Sequence, residues 1–251
     1  MKPHNAVAAG LLLASSLAPA EPVAHAATEL QPQAVEVAGT LDAEWASYRH
    51  AYEANAFIGK FVRKRPLIKA QMQVRPLDPK TPLTGLQVHL VGAKTRIELP
   101  VDDIGLVDVP QLKPAYDEDA VLRLNRPKGL YRFSGRYSIR ERDDGVYAAS
   151  ELAAACDQMI GAQRESGYRV RLWGLKCVGV KFVYPATDTA ASVDFHAGDD
   201  KVTPITAVDG LPFEDGSMGV YKVVVLRFAD WPRDGRVVTA VKPLAIGTVY
   251  E

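Results

Sequence analysis

The chain has 251 residues, of which 47% are apolar, and 30 basic residues balance 30 acidic ones. Zero net charge gives no general attraction to nucleic acid, so any anion binding must come from a local patch. The apolar content suits a packed globular chain, and the length fits one large domain or two small ones.

Residues 1–26 read as an export signal. Lys2 and His4 form a polar start, "AVAAGLLLASSLA" an apolar run, and Ala24-His25-Ala26 a small-residue cleavage site. The run is too short for a stable membrane anchor. Processing after Ala26 removes one lysine and one glutamate, which leaves the charge balanced. No other long apolar segment follows, so the expected product is periplasmic or secreted, with no membrane insertion.

Residues 27–65 hold a leader and a helix. The helix is predicted over Leu41–Phe61, with Asp42 as N-cap and apolar residues recurring at Trp45, Tyr48, Tyr52, Ala56 and Phe57. Arg63, Lys64 and Arg65 suit its C-terminal dipole and need no ligand. From Leu67 the apolar period becomes two, and residues 66–146 read as a first β unit. Strands are predicted at "LIKAQMQV", "LQVHLVG", "TRIELPV", "AVLRLN" and "YRFSGRYSIR". The last has Tyr131, Phe133, Tyr137 and Ile139 on one face. Arg132, Arg136 and Arg140 share the other with Ser134 and Ser138.

Residues 147–251 read as a helix followed by a second β unit. The helix is predicted over Tyr147–Arg164, with Ser150 as cap and Gly167 just past its end. "YRVRLW" and "CVGVKFVYP" follow as strands, then a loose stretch from Ala186 to Thr203. "VYKVVVLRFADW" and "RVVTAV" are predicted to join through the turn at 232–235, and "LAIGTVY" is a last short strand. Loss of alternation at Val223–Leu226 suggests a strand buried on both faces. The predicted class is therefore α+β and β-rich, with antiparallel sandwich-like sheets, two helices and one disulfide. The disulfide is Cys156–Cys177, an even pair in an exported chain without C-x-x-C spacing.

Asp102, Asp103, Asp108, Asp117, Glu118 and Asp119 crowd into eighteen residues. Asp and Gly at these places suit turns, and "DDIGLVD" lacks the ligand offsets of a calcium loop. The three histidines after residue 26, His50, His89 and His196, include no i, i+4 pair. The motifs H-E-x-x-H, G-x-S-x-G, S-x-x-K, G-x-G-x-x-G and G-x-x-x-x-G-K-[ST] are all missing. No catalytic residue, metal ligand or cofactor is assigned from the sequence.

The candidate binding residues are Arg132, Arg136 and Arg140, since guanidinium groups grip carboxylates and phosphates bidentately. Arg169 and Arg171 repeat the alternation in "YRVRLW". A charged strand face also serves simply to prevent edge-to-edge association. The favoured function is a non-enzymatic periplasmic or secreted protein that binds an envelope protein or an anionic envelope polymer. The alternatives are an envelope hydrolase with dispersed carboxylates and a small-molecule carrier.

Within residues 83–110, "LTGLQVHLVG" and "ELPVDDIGLVDVP" resemble the transthyretin-like, carboxypeptidase-regulatory sandwich units of secreted proteins, which set a D-x-x-G turn between strands. The order of elements is also similar to uncharacterised secreted families of proteobacteria. That likeness implies export and transfers no functional residue.

Overall fold

The computed structural model describes residues 44–198, 201–214 and 216–251. The proposed signal, its cleavage site and Asp42 lie outside this range. In chain order the elements are β1 (Glu44–Ser47), α1 (Tyr48–Val62), β2 (Ile68–Pro76), β3 (Val88–Val91), β4 (Arg96–Leu99), β5 (Leu106–Val107), α2 (Lys113–Asp117), β6 (Val121–Leu124), β7 (Tyr131–Ile139) and β8 (Val146–Ala148). Then come α3 (Ala149–Gln163), β9 (Cys177–Tyr184), β10 (Ser192–His196), β11 (Val202–Thr206), β12 (Val208–Gly210), β13 (Tyr221–Arg227), β14 (Arg236–Thr239) and β15 (Ala245–Tyr250).

The strands form three antiparallel sheets, ordered β1-β6-β3-β4, β11-β10-β14-β8 and β12-β13-β9-β15-β7-β2-β5. This is the expected β-rich α+β class. The seven-stranded sheet joins β2 and β7, from before residue 146, to β9, β13 and β15, from after it. The two β units therefore share one sheet, and the described residues all fall in one compact unit.

One face of that sheet is apolar along its length. At one end α3 and the β10–β14 sheet pack on it through Leu152, Met159, Phe182, Phe195, Val237 and Ile246. At the other end α1 and the β3–β6 sheet close over Met72 and Val74. Burying these side chains supplies the main driving force, at about 25 cal/mol per Å² of apolar area. Cys156 on α3 is bonded to Cys177 at the start of β9, with Cα atoms 5.7 Å apart, which ties the helix to the sheet it covers.

Several local expectations differ from the structure. The first helix starts at Tyr48, because residues 44–47 pair with β6 as strand β1. Tyr48 is fully buried, and its hydroxyl donates to the Pro110 carbonyl and accepts from the Leu112 amide, which ties the helix start to the 110–112 segment. The third helix is capped at Ala148, not Ser150. The short α2 was not anticipated; Pro114 near its start suits a first helical turn. The supposedly loose stretch after Ala186 contains β10 and leads into β11, which pair as a hairpin. β13 and β14 do not pair with each other: β13 lies between β12 and β9, and β14 between β10 and β8. Val225 is exposed while Val224 and Leu226 are buried, so β13 is not buried on both faces throughout.

The sharpest difference is "YRVRLW". Alternation there predicts a strand, yet the chain continues from α3 through a π-helical turn, Arg164–Tyr168, into successive turns up to Gly174. Gly167 sits at φ +113°, a conformation that side-chain-bearing residues rarely adopt, and it redirects the chain out of the helix. Six alternating residues gain nothing from a period of two without a neighbouring strand to bond.

Candidate functional site

The acidic run resolves into separate turns. The Asp102 carboxylate accepts the amides of Ile104 (3.1 Å) and Leu106 (2.7 Å), closing an Asx turn. Gly105, at φ +78°, completes it, and a Cβ there would lie 2.2 Å from the Val74 carbonyl oxygen. Although the residue reaches solvent, packing around its carboxyl pushes Asp102 up to about 6, against the pull of those two amides and of Lys69. Asp108 accepts from Gln71 (2.8 Å). Glu118 takes the amides of Lys94 and Thr95 and so closes the β3–β4 hairpin; the Thr95 side chain first, and then these amides, hold its carboxyl below the usual range. Asp117 pairs with Lys113, and Asp119, at φ +53°, pairs with Arg49. Among the described residues no group of His, Cys, Asp and Glu is placed to hold a metal ion.

The arginine face follows from strand register. Opposite residues in an antiparallel pair share a face. Arg132, Ser134, Arg136 and Ser138 on β7 therefore sit beside Arg75, Gln73, Gln71 and Lys69 on β2. This polar face lies opposite the main core, and residues 211–214 and 216–218 lie over it as a strap. Lys181 on β9 donates to the Leu211 carbonyl (3.1 Å), and Arg75 on β2 donates to the Ser217 hydroxyl (2.6 Å). Between them the Arg136 guanidinium stacks 3.9 Å above the centre of the Phe213 ring. It also lies 3.6 Å from Glu214 and donates to Gln73 (3.0 Å). Phe213 and Met218 are buried with Ile104, Val183 and Val223 in a small third core under the strap.

The three candidate arginines do not form one exposed line. Arg132 is exposed. Arg140 is exposed just beyond the strand, where it donates to the Pro66 carbonyl. Arg136 between them is 12% exposed and committed to internal partners. Ser138 is buried as well. On the other face Tyr131, Tyr137 and Ile139 are buried as expected, and Phe133 is half-buried.

A different surface stands out in the segment Tyr168–Lys176. Val170 is 87% exposed, Trp173 82% and Tyr168 45%. Arg169, Arg171 and Lys176 are exposed beside them. The segment has a defined shape. The amides of Leu172, Trp173 and Leu175 donate to the carbonyls of Tyr168, Val170 and Leu172. Arg164 donates to the carbonyls of Leu172 (3.2 Å) and Leu175 (2.6 Å). Leu172 turns inward and is buried, and the disulfide holds the chain directly after Lys176. Arg65 pairs with Glu165 at 2.6 Å, which brings the exposed Arg63 and Lys64 at the end of α1 near the same segment. Among the described residues no carboxylate lies within ion-pair distance of Arg63, Lys64, Arg169, Arg171 or Lys176. Alternation in the sequence singles out the arginines here, whereas the exposure of Val170 and Trp173 follows from the turns that replace the expected strand.

Two surface recesses lie among the described residues. One, of about 250 Å³, is lined by His89, Val91, Arg96, Arg123, Leu124 and Asn125. The other, of about 420 Å³, lies at the root of the 168–176 segment, between Asp157, Ile160, Arg164, Leu175 and Lys176. Neither gathers several carboxyls, and Asp102 lines neither. Among the described residues no helix is long and apolar enough to cross a membrane.

The described residues form an α+β, antiparallel, disulfide-linked fold with a strapped polar sheet face and an exposed apolar-basic segment. No protein-family model, curated protein or solved structure matches it.

Proposed function

We propose that the protein acts outside the cytoplasm as a non-enzymatic binding protein. Its contact element is Tyr168–Lys176, and its partner is an anionic component of the cell envelope. The observation that carries this reading is the exposure of Val170 and Trp173 on a pinned segment edged by Arg169, Arg171 and Lys176. Apolar area left in water contributes nothing to folding, and such patches mark interaction sites. Trp and Arg are also the residues that most often dominate binding energy. The disulfide suits an oxidising compartment.

This assignment moves the binding surface away from Arg132, Arg136 and Arg140, because Arg136 already has partners within the fold. The hydrolase and carrier alternatives have less support. Asp102 is occupied by two amides, and both recesses have charged walls.

The test is retention on a washed envelope preparation from the producing cells. Wild-type protein is expected to be retained and to elute with salt. A variant carrying Trp173→Ser with Arg169→Gln and Arg171→Gln is expected to flow through while keeping its fold. Equal retention of the two proteins refutes the assignment.

A further inference from the structure

We infer that the partner of Tyr168–Lys176 is a bilayer surface bearing anionic headgroups, on which Val170 and Trp173 seat without any segment spanning the membrane. This rests on the docking role proposed above and commits it to one occupant. Three observations point to a bilayer rather than a folded protein or a polymer strand.

The first is size. The segment is nine residues long, whereas a stable protein interface engages roughly 20–30 residues a side. A lipid interface has no such minimum, because a few apolar side chains enter it individually.

The second is composition. Trp and Tyr favour the boundary between headgroups and acyl chains, where an aromatic body meets a polar edge. Arg169 and Arg171 flank Val170, so their stems can lie along apolar surface while the guanidinium groups reach phosphate. Arg63, Lys64 and Lys176 add charge around the same site, with no carboxylate in ion-pair range among the described residues.

The third is the fixed shape. Arg164 holds the carbonyls of Leu172 and Leu175, and buried Leu172 anchors the middle of the segment. Val170 and Trp173 are therefore presented without ordering a slack loop, which lowers the entropic cost of contact.

The experiment is co-sedimentation of the full chain with phosphatidylcholine vesicles, with and without phosphatidylglycerol, at low and high salt, together with tryptophan emission. Binding is expected to the phosphatidylglycerol vesicles, weakening with salt, with a blue shift contributed by Trp173. Val170→Ser with Trp173→Ser should abolish both sedimentation and shift. Arg169→Gln and Arg171→Gln should each weaken binding roughly five-fold, the usual contribution of one basic residue near an anionic surface. Circular dichroism of the variants should be unchanged, since the replaced side chains are exposed. Wild-type protein left in the supernatant with anionic vesicles overturns the bilayer assignment. Sedimentation of the Val170→Ser/Trp173→Ser variant like wild type overturns it as well. If that variant loses retention on the envelope preparation while wild type ignores vesicles, the docking role stands and only the lipid partner falls.

Discussion

Residues 131–140 and 168–173 carry the same local text, arginines alternating with aromatic and aliphatic residues, and they fold in opposite ways. In the first, β2 and β15 lie on either side, so the backbone groups pair and the apolar half enters the core. In the second, no strand is adjacent among the described residues, and the chain leaves α3 in turns that put Val170 and Trp173 in water. The arginines diverge too. Arg136 is drawn under a strap and made part of the fold, whereas Arg169 and Arg171 remain at the surface. Alternation is thus a statement about which neighbours a segment finds, and the same charges serve stability in one place and contact in the other.

The largest expected effect on this contrast comes from the disulfide. Replacing both Cys156 and Cys177 by Ala should lower unfolding free energy by about 3 kcal/mol, the loop-entropy value for a separation of 21 residues. Denaturant titration measures it. The same variant should loosen Tyr168–Lys176, seen as faster amide exchange there than in β7. Equal protection of the two regions in the variant would mean that the Arg164 hydrogen bonds suffice.

Next is Arg136→Ala, which removes the cation above Phe213 and leaves Glu214 without it. A fully buried pair broken in this way costs about 3–5 kcal/mol. Glu214 is 31% exposed, so solvent screens part of the loss and about 2 kcal/mol is expected. Arg169→Ala in the same denaturant assay should change stability by no more than about 0.5 kcal/mol. Similar losses in the two variants would erase the distinction between a structural and a surface arginine.

An alkaline titration sharpens the strand side. Burial raises the phenol of Tyr137 on β7 and those of Tyr184 and Tyr250, and pushes Tyr221 up to about 12. In the unfolded chain these phenols ionise near 10. Between pH about 10 and 12 the native state therefore holds more protons than the unfolded state. The stabilising contribution is full below 10 and is lost as pH rises through that window. Tyrosinate absorbance should lag behind that of the urea-unfolded protein, and urea midpoints should fall over the same range. Coincident titration curves for native and unfolded protein would contradict the burial of these rings.

The smallest effect is expected from Arg132→Gln with Arg140→Gln, the exposed members of the original line. Stability should move by about 0.5 kcal/mol or less per site. Retention on the envelope preparation should be unchanged. Loss of retention in this variant would return the binding surface to β7.

Much of this architecture was legible in the residues themselves. Period-two apolar patterns placed β2, β3, β4, β6 and β7 within a few residues, because a half-buried strand must alternate, and short apolar runs marked β9, β13 and β15. The cysteine pair was readable because its count and spacing left one partner for each. The turn role of Asp102 and Gly105 was readable because Asx turns need only local atoms. Helix starts were less so: Ser47 precedes α1 only because β6 lies in place to bond residues 44–47.

By itself, then, the sequence determined the α+β class, the disulfide and the turn chemistry, all of which depend on period, composition or contacts a few residues apart. Only the tertiary structure decided that residues 211–214 and 216–218 lie over the sheet and claim Arg136, more than seventy positions away, and that "YRVRLW" pairs with no strand among the described residues. Both outcomes depend on which distant segments meet, and burial of a charge or exposure of an apolar ring is a property of that meeting rather than of the local text.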